Sequence, residues 1–479
     1  MGHKATHRIS KAHIRLFAVI AGSILLVGAA LGAAAHFHGS GGGDPAAKAK
    51  AIRGAAVPSA SLTSSPTAGA SPSPSPSASP SPSADPVTPL PAGVLLRQID
   101  GGATYFAKWK NGFPSAASFL PIGVYPSQGS PSQLAAEGIN FFTPMRNESA
   151  GTWCPVWNNA NGNDMSGVDA QPGFYAGGTF YQSSGQPWGQ RAAFDVFGDE
   201  LDGNSANWFD CLPSSISSHN ESVGNGGGLS ASAFEAAEAA SHAADPSRPL
   251  YIQTTVTFMD GGKDYFYTGS QKTAICTGAD IFSFDMYPLV MRDGHVWDMY
   301  DQIQEARGYC GDSRPVMAFA EMDHMDSGSI YPQPAQTAAE VWNAVIGGAR
   351  GIEYFDQYSN IAETGYNGAG HYGAGAMYSA IRSTNAQVTA LAPVINAPFA
   401  EKYVSASGNV SVMAKYYNGH FYVFAIPHAS GSQKVTFTLA GAPGGTMTVL
   451  NENRTVPVSG GRFTDSFANE NTVHVYELG

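Results

Sequence analysis

The feature that most constrains the fold is an alternation of short apolar runs with amphipathic stretches between about residues 119 and 357. Apolar runs of this length are typical of buried strands, and several of the intervening stretches have helical spacing. The candidate strands are FLPIGVYP (119–126), INFFTPM (139–145), GFYAGGTFY (173–181), FDVFGDE (194–200), LYIQTTVTF (250–258), DIFSFDMYP (280–288), PVMAFAEMD (315–323) and IEYFDQ (352–357). Strands connected by helices run parallel, so the pattern predicts a parallel sheet with helical crossovers.

The length of this region favours a closed barrel. It spans roughly 240 residues, which fits a (β/α)8 TIM barrel better than an open, doubly wound sheet. No Gly-rich phosphate-binding motif follows the first strand, which counts against a nucleotide-binding sheet. Between Arg146 and Gln190 no clear helix and strand can be read, so the third strand (173–181) and the count of eight are inferred. We assign residues 94–396 to an α/β, (β/α)8 catalytic barrel.

Two helices have recognisable ends. Ser232 and Glu235 fit a capping box for a helix over residues 232–244. A second helix is expected over residues 335–349, and Gly351 is expected to end it.

The sequence changes character after the barrel region. From about residue 397 polar and apolar residues alternate, and Asn418-Gly419 is a signal for a two-residue hairpin. Residues 397–479 are therefore expected to form a small antiparallel β-sandwich.

The N-terminal 93 residues are not expected to form a core. A basic, cytoplasmic segment (1–15) precedes an uncharged stretch (16–35), whose length of about 20 residues is enough to cross a bilayer. This stretch fits either a transmembrane anchor or a cleaved signal peptide. Residues 36–93 include SPSPSPSASPSPS and are expected to form a disordered Gly/Ser/Pro-rich stalk. The folded part is thus expected to be extracellular, either secreted or anchored to the membrane through the N-terminal segment alone.

Four cysteines lie in the exported part, and an even count outside the cytosol suggests two disulfides. Proximity in sequence favours Cys154 with Cys211 and Cys276 with Cys310, although three connectivities exist and four buried thiols are the alternative.

The net charge of the chain after residue 53 indicates which kinds of molecule it can bind. The first 53 residues hold seven of the 25 Lys/Arg and one of the 37 Asp/Glu, so the remainder carries 18 positive against 36 negative residues. Such an acidic domain is a poor candidate for binding nucleic acid. A neutral or cationic partner is favoured, and the sequence leaves the oligomeric state open.

Polar residues follow most of the candidate strands. In a parallel barrel the C-terminal strand ends meet at one rim, where side chains are placed for chemistry. The residues at these ends are Arg146, Asp199, Glu200, Asp202, Asp285, Tyr287, Glu321, Asp323, Asp356 and Gln357. Glu200 and Glu321 are therefore expected to face one another across a cleft.

Two facing carboxyl groups can hydrolyse a glycosidic bond. One carries a proton to the departing oxygen, and the other attacks the anomeric carbon or activates water. Clustering supplies the required difference in pKa, because a nearby like charge raises the pKa of one group. This chemistry needs no metal or cofactor. NNANGNDMSG (158–167) resembles a calcium loop but lacks the closing Glu.

The strand motifs resemble those of the clan A glycoside hydrolases, a group of retaining (β/α)8-barrel enzymes that often carry a C-terminal β-sandwich. The resemblance rests on FLPIGVYP as strand 1, Glu200 at the end of strand 4, FDMYP as strand 6, FAE with Glu321 as strand 7 and GARGIEYF leading through strand 8. It implies that Glu200 is the acid/base, that Glu321 is the nucleophile, and that the Tyr287 hydroxyl orients Glu321. The chain departs from the clan at Asp199, where an Asn usually binds the sugar 2-hydroxyl.

Aromatic and polar residues in the same loops are candidates for binding sugar. Flat rings pack against the C–H groups of a sugar, and polar side chains bond its hydroxyls. The substrate-binding candidates are Asp199, Arg146, Asp285, Trp153, Trp157, Trp208 and Asp356, with Trp188 and Trp297 as further aromatic candidates.

Several of these carboxylates have structural alternatives. Glu321 could be held by backbone amides in a purely structural role, and the acid/base could be Asp199 or Asp202 instead of Glu200. Glu353 is expected to be a buried ion-pair partner, for example of Arg350. Asp285 and Asp356 are equally suited to binding hydroxyls and to bracing loops.

These observations predict an extracellular glycoside hydrolase that cleaves a β-linked poly- or oligosaccharide by a retaining, double-displacement mechanism. The alternative is a surface-displayed carbohydrate-binding protein with an inactive barrel, although a binder has no need of both glutamates. A serine hydrolase is disfavoured, because no GxSxG motif follows a strand.

Overall fold

The computed structural model describes residues 89–98, 100–125, 130–143, 165–179, 192–198, 202, 229–255, 258, 267–292, 294–323, 330–355, 374–442 and 444–478. All of them belong to one compact unit, Pro82–Gly479. The segment predicted to be a membrane anchor or signal peptide and the stalk up to residue 88 lie outside these ranges. Within the described ranges, no helix is long and apolar enough to span a bilayer.

Eight parallel strands close into a barrel, as the sequence predicts. A short strand, β1 (Leu95–Arg97), precedes them, and a 3-10 helix follows it at Tyr105–Lys108. The barrel strands are β2 (Ile122–Tyr125), β3 (Phe141–Phe142), β4 (Tyr175–Thr179), β5 (Ala192–Val196), β6 (Leu250–Thr255), β7 (Ile281–Asp285), β8 (Val316–Glu321) and β9 (Gly351–Phe355). Pairing of β2 with β9 closes the circle. The strand inferred at residues 173–181 is present as β4, so the predicted fold class and strand count are confirmed.

Helices connect the strands and continue beyond the last of them. They are α1 (Pro131–Ala136), α2 (Met165–Ala170), α3 (Ala231–Ala244), α4 (Gly269–Thr277), α5 (Pro288–Arg292), α6 (Asp298–Cys310), α7 (Pro334–Gly347), α8 (Ala374–Ala390) and α9 (Ala392–Ile395). The predicted disulfide between Cys276 and Cys310 is present and joins the ends of α4 and α6.

Two predicted helix ends were wrong. Ser230 caps α3 by accepting a hydrogen bond from Ala233 N, so Ser232 lies inside the helix. The glycine that ends α7 is Gly348, which has a φ of 100°. Only glycine adopts this left-handed conformation without strain, and Gly351 instead begins β9.

Large aromatic rings fill the N-terminal half of the barrel. Phe141, Phe194 and Tyr251, from three strands, pack in one buried cluster with Phe113, which follows the 3-10 helix. Gly123 on β2 makes room for this layer, because a Cβ there would lie 2.2 Å from the ring of Phe141. The filled interior leaves the C-terminal strand ends as the place for chemistry.

The C-terminal region forms an antiparallel sheet of ten strands that includes β1. Its other strands are β10 (Phe399–Glu401), β11 (Val404–Ser407), β12 (Val410–Tyr417), β13 (His420–Pro427), β14 (Gln433–Leu439), β15 (Gly444–Val449), β16 (Arg454–Ser459), β17 (Arg462–Phe467) and β18 (His474–Leu478). Asn418 and Gly419 form the predicted hairpin turn, both with positive φ. The sheet folds back on itself, so that the ring centroids of Phe437 on β14 and Tyr476 on β18 lie 5.6 Å apart.

Candidate active site

Two strands of the barrel end in carboxylates. Asp285 is the last residue of β7, and Glu321 is the last residue of β8. Both side chains are buried, with exposed fractions of 6% and 1%. A layer of packed aromatic rings from neighbouring strand ends lies beside them, formed by Tyr125, Tyr287, Phe319 and Phe355.

Backbone amides from the start of α5 hold the Glu321 carboxylate. Val290 N donates to Oε1 at 3.0 Å, and Leu289 N donates to Oε2 at 3.3 Å. Each oxygen thus has its own donor, which fixes the plane of the carboxylate. These contacts fit an oriented nucleophile and also fit the alternative structural role, so variants of Glu321 must separate the two.

A second buried carboxyl group lies directly beside Glu321. Glu340 on α7 is fully buried, and its Oε2 accepts a hydrogen bond from Glu321 N at 2.8 Å. On the same helix, Thr337 Oγ1 donates to Glu321 O at 2.7 Å. Helix α7 is therefore hydrogen-bonded to both backbone polar groups of Glu321, its N–H and its C=O.

The two carboxyl groups share an environment that disfavours charge. Burial raises the pKa of Glu321 to about 7, while a hydrogen bond from the Glu340 carboxyl and the Val290 and Leu289 amides oppose this rise. Burial and the neighbouring Glu321 raise the pKa of Glu340 well above its ordinary value. Glu340 therefore keeps its proton at neutral pH, and the negative charge of the pair resides on Glu321, which is about half ionised there.

Tyr287 lies two residues beyond the end of β7. Its ring packs 5.2 Å from the ring of Phe355, and its hydroxyl is 3.5 Å from Asp285 Oδ2. Among the described residues, the side-chain contacts of Glu321 come from Leu289, Val290 and Glu340. The role predicted for Tyr287 in orienting Glu321 stays a prediction.

Asp202 has a structural role that distinguishes it from its neighbours in sequence. Its carboxylate accepts hydrogen bonds from Thr255 N at 2.8 Å, Thr255 Oγ1 at 2.9 Å and Phe258 N at 2.9 Å. It therefore ties the segment after β5 to the end of β6. Burial raises its pKa to about 6. With its oxygens occupied in this way, Asp202 is a poor candidate for the acid/base.

Within the described residues, no ion pair joins Glu353 to Arg350, the partner suggested by the sequence. The Glu353 carboxylate accepts hydrogen bonds from the hydroxyls of Thr143 at 2.5 Å, Ser283 at 3.4 Å and Tyr251. Arg350 is instead directed to Gly102 O at 3.4 Å, in the segment before the barrel. Glu353 is buried as expected, but it lies among hydroxyl groups of other barrel strands, whereas Arg350 is directed away from it.

Several predicted site residues fall outside the described ranges. They are Glu200, Asp199, Arg146, Trp153, Trp157, Trp208 and Asp356, together with Cys154 and Cys211. Their assignments stay predictions. Gly198, two residues before Glu200, is buried and lies two residues beyond the end of β5.

Glu340 is the residue that the sequence analysis missed. It stands in a helix with apolar residues on nearly every side, AAEVWNAVI (338–346). A helix of this kind is buried all round, and a carboxyl group within it needs a polar partner. That rule could have identified Glu340 as a buried group, although not its contact with Glu321.

Within the described residues, one group has a geometry that could hold a metal ion: Glu238, His242 and Asp280. It lies just before β7, at the opposite end of that strand from Asp285. His242 Nε2 is 2.6 Å from Asp280 Oδ2, and Arg314 pairs with Glu238 at 3.1 Å. These side chains already form a paired network, and we assign no metal to it.

No protein-family model and no curated protein matches the chain. Similar solved structures include an α-amylase from Anoxybacillus, with 11% identity and a TM-score of 0.42 over 76% of this chain and 98% of that one. A GH30 endoxylanase from Clostridium papyrosolvens has 11% identity and a TM-score of 0.35 over 80% and 97%. A family 39 glycoside hydrolase from Bacteroides cellulosilyticus has 11% identity and a TM-score of 0.41 over 76% and 82%. At this distance the similarity says nothing of activity, and the function rests on the chain's own residues.

Proposed function

We propose that the protein is a glycoside hydrolase that cleaves a β-linked glycan with retention of configuration. The observation that carries the proposal is the Glu321 carboxylate, buried at the end of the seventh barrel strand and held by one amide at each oxygen. A carboxylate fixed in this way at the C-terminal end of a barrel strand is placed for nucleophilic attack.

In the proposed reaction Glu321 attacks the anomeric carbon while Glu200 gives its proton to the departing oxygen. The sugar is then bound covalently to Glu321. Glu200, now ionised, removes a proton from water as the water attacks the same carbon and releases Glu321. This assignment requires the two carboxyl groups to lie about 5 to 5.5 Å apart, whereas an inverting enzyme needs about 6.5 to 9.5 Å.

The remaining site residues are assigned to the substrate. Asp199 would bind the hydroxyl next to the reacting carbon, and Trp153, Trp157 and Trp208 would pack against sugar rings. Asp285, buried beside the aromatic layer, would bind a hydroxyl group. The enzyme would act outside the cell, either secreted or anchored by residues 16–35.

The decisive experiment compares Glu200→Ala and Glu321→Ala on a panel of aryl β-glycosides and polysaccharides. Glu200→Ala should slow substrates with poor leaving groups by roughly 10² to 10⁴ and activated aryl glycosides less. Glu321→Ala should abolish both, because no covalent intermediate can form.

Azide distinguishes the two positions by stereochemistry. In Glu200→Ala it should capture the intermediate as a glycosyl azide of retained configuration, and in Glu321→Ala it should give the inverted product. An inverted anomer from the unmodified enzyme would remove Glu321 as nucleophile. If Glu321→Ala is folded and keeps full activity, Glu321 has the structural role instead.

A further inference from the structure

We propose that Glu340 is a positioning residue for Glu321: its carboxyl group fixes the backbone and the side chain of Glu321 and holds a proton beside the nucleophile. The inference rests on the proposed function only in assigning Glu321 to the reaction. The contacts of the Glu340 carboxyl group with the backbone N–H and the side chain of Glu321 belong to the structure itself.

Burial makes this contact unusual. Glu340 is 0% exposed and Glu321 is 1% exposed. Two carboxylates in such a site cannot both be charged, because each would be desolvated and the two would repel. One of the pair must therefore keep a proton.

The other contacts decide which carboxyl group keeps the proton. Glu321 has two amide donors that stabilise its charge, whereas Glu340 has one, the backbone N–H of Glu321. The accepting atom is Glu340 Oε2, and Glu340 Oε1 is buried without a hydrogen-bond partner within the described part of the chain. The proton therefore resides on Glu340, where it can be donated to the Glu321 carboxylate.

The described ionisable groups at and near the C-terminal ends of β7, β8 and β9 are acidic or phenolic. Asp285 and Tyr287 lie at and just beyond the end of β7, Asp323 follows β8, and Glu353 lies on β9. Among the described residues, no cation is hydrogen-bonded or ion-paired to Glu321 or Glu340. The hydrogen bond donated by protonated Glu340 therefore stabilises the negative charge of Glu321, a task that a lysine or arginine often performs in other proteins.

This arrangement has a consequence for the reaction. When Glu321 attacks the sugar it loses its negative charge, and the hydrogen bond from Glu340 weakens. When water releases the sugar, the charge and the hydrogen bond return together. Glu340 therefore acts through Glu321 in both steps without touching the substrate.

The test compares pH profiles of kcat/KM for Glu340→Leu, Glu340→Gln and a control, Asn343→Leu. Asn343 is also fully buried on α7, and its amide donates to Ala339 O at 3.0 Å. Loss of the donor in Glu340→Leu should move the acid limb of the profile to higher pH by about one unit. Glu340→Gln keeps both a donor and an acceptor and should restore the limb. The control should lower Tm and leave the limb in place.

A second measurement, an NMR titration of the native protein, does not depend on enzymatic activity. In the full chain labelled with ¹³C at glutamate carboxyl carbons, the two resonances are assigned from Glu321→Gln and Glu340→Gln. Both resonances should move in one titration step near neutral pH. Independent titration of Glu321 at an ordinary glutamate pKa would overturn the proposal. So would an unmoved acid limb in a folded, active Glu340→Leu.

The two readouts also separate this inference from the proposed function. If no glycoside is cleaved but the two resonances titrate together, the proposed function fails and the carboxyl pair stands. If retention is found but the resonances titrate independently, the enzyme stands and Glu340 is only a packing residue.

Discussion

At the scale of single residues, the chemistry depends on how each carboxyl group is satisfied. Asp202 and Glu353 are engaged by amides and hydroxyls that tie strands together, whereas Glu321 is held against a second carboxyl group. A buried group that titrates near neutral pH is a frequent mark of a functional site, particularly where it lies at the end of a barrel strand. Glu321 is the described strand-end residue that fits this description.

Replacing Tyr287 with Phe tests the residue next to this site. If its hydroxyl orients Glu321 or holds Asp285 for the substrate, turnover should fall by roughly ten- to a thousand-fold while the fold is kept. Tyr354→Phe is a matched control, because Tyr354 on β9 is fully buried and its hydroxyl donates to Asn385 at 2.8 Å, away from the strand ends. Steady-state kinetics and Tm decide the outcome, and an unchanged rate would make Tyr287 a packing residue.

The raised pKa of Glu321 predicts a pH-dependent difference in stability between the native protein and Glu321→Gln. The folded-state pKa is about 7, above the ordinary value for glutamate, so the folded state binds the proton more tightly than the unfolded state. The stabilising contribution is complete below the unfolded pKa and is lost as pH rises through about 7. Between pH 5 and 8 the native protein should therefore lose free energy of unfolding relative to Glu321→Gln. Urea titrations at several pH values measure this difference, and parallel curves would contradict the prediction.

At the scale of helices and strands, regular elements were predictable and contacts distant in sequence were not. The eight barrel strands follow from apolar runs of strand length, and the hairpin at Asn418-Gly419 follows from a local turn preference. The pairing of β1 with β10 escaped prediction, because three residues joined to a strand about 300 positions away leave no periodic signal. Glu340 escaped for a similar reason, since its partner lies on a preceding strand.

The disulfide between α4 and α6 gives a prediction at this scale. Its cysteines are 34 residues apart, and closing a loop of that size should stabilise the folded chain by about 3 to 4 kcal/mol in the chain-entropy view. Cys276→Ala/Cys310→Ala should lower the free energy of unfolding by about this amount, as measured by urea denaturation. Turnover of the folded variant should persist, because the bridge lies outside the strand-end site. A variant of native stability would mean that the bridge constrains little in the unfolded chain.

At the scale of the whole molecule, the barrel and the C-terminal sheet share one hydrophobic core. The ring centroids of Trp342 on α7 and Phe424 on β13 are 6.4 Å apart. Both rings belong to a buried cluster that also includes Met413 and Ile426. Lys415 on β12 is fully buried and donates to Ala397 O at 3.0 Å, which ties the sheet to the segment after α9. The helix that carries Glu340 is thus supported on one side by the barrel and on the other by the sheet.

Because of this shared core, removing residues from the C-terminus should harm stability and activity far more than removing the N-terminal residues before Pro89. A chain that begins at Pro89 keeps β1, including Arg97, which pairs with Glu401 and Asp312, and should retain both its activity and its Tm. A chain that ends at Asn396 loses the partner of Trp342 and exposes the outer face of α7, so it should be insoluble or inactive. Solubility, Tm and turnover of the two truncated chains measure the difference. A soluble, active barrel ending at Asn396 would show that α7 and its carboxyl pair need no support from the sheet.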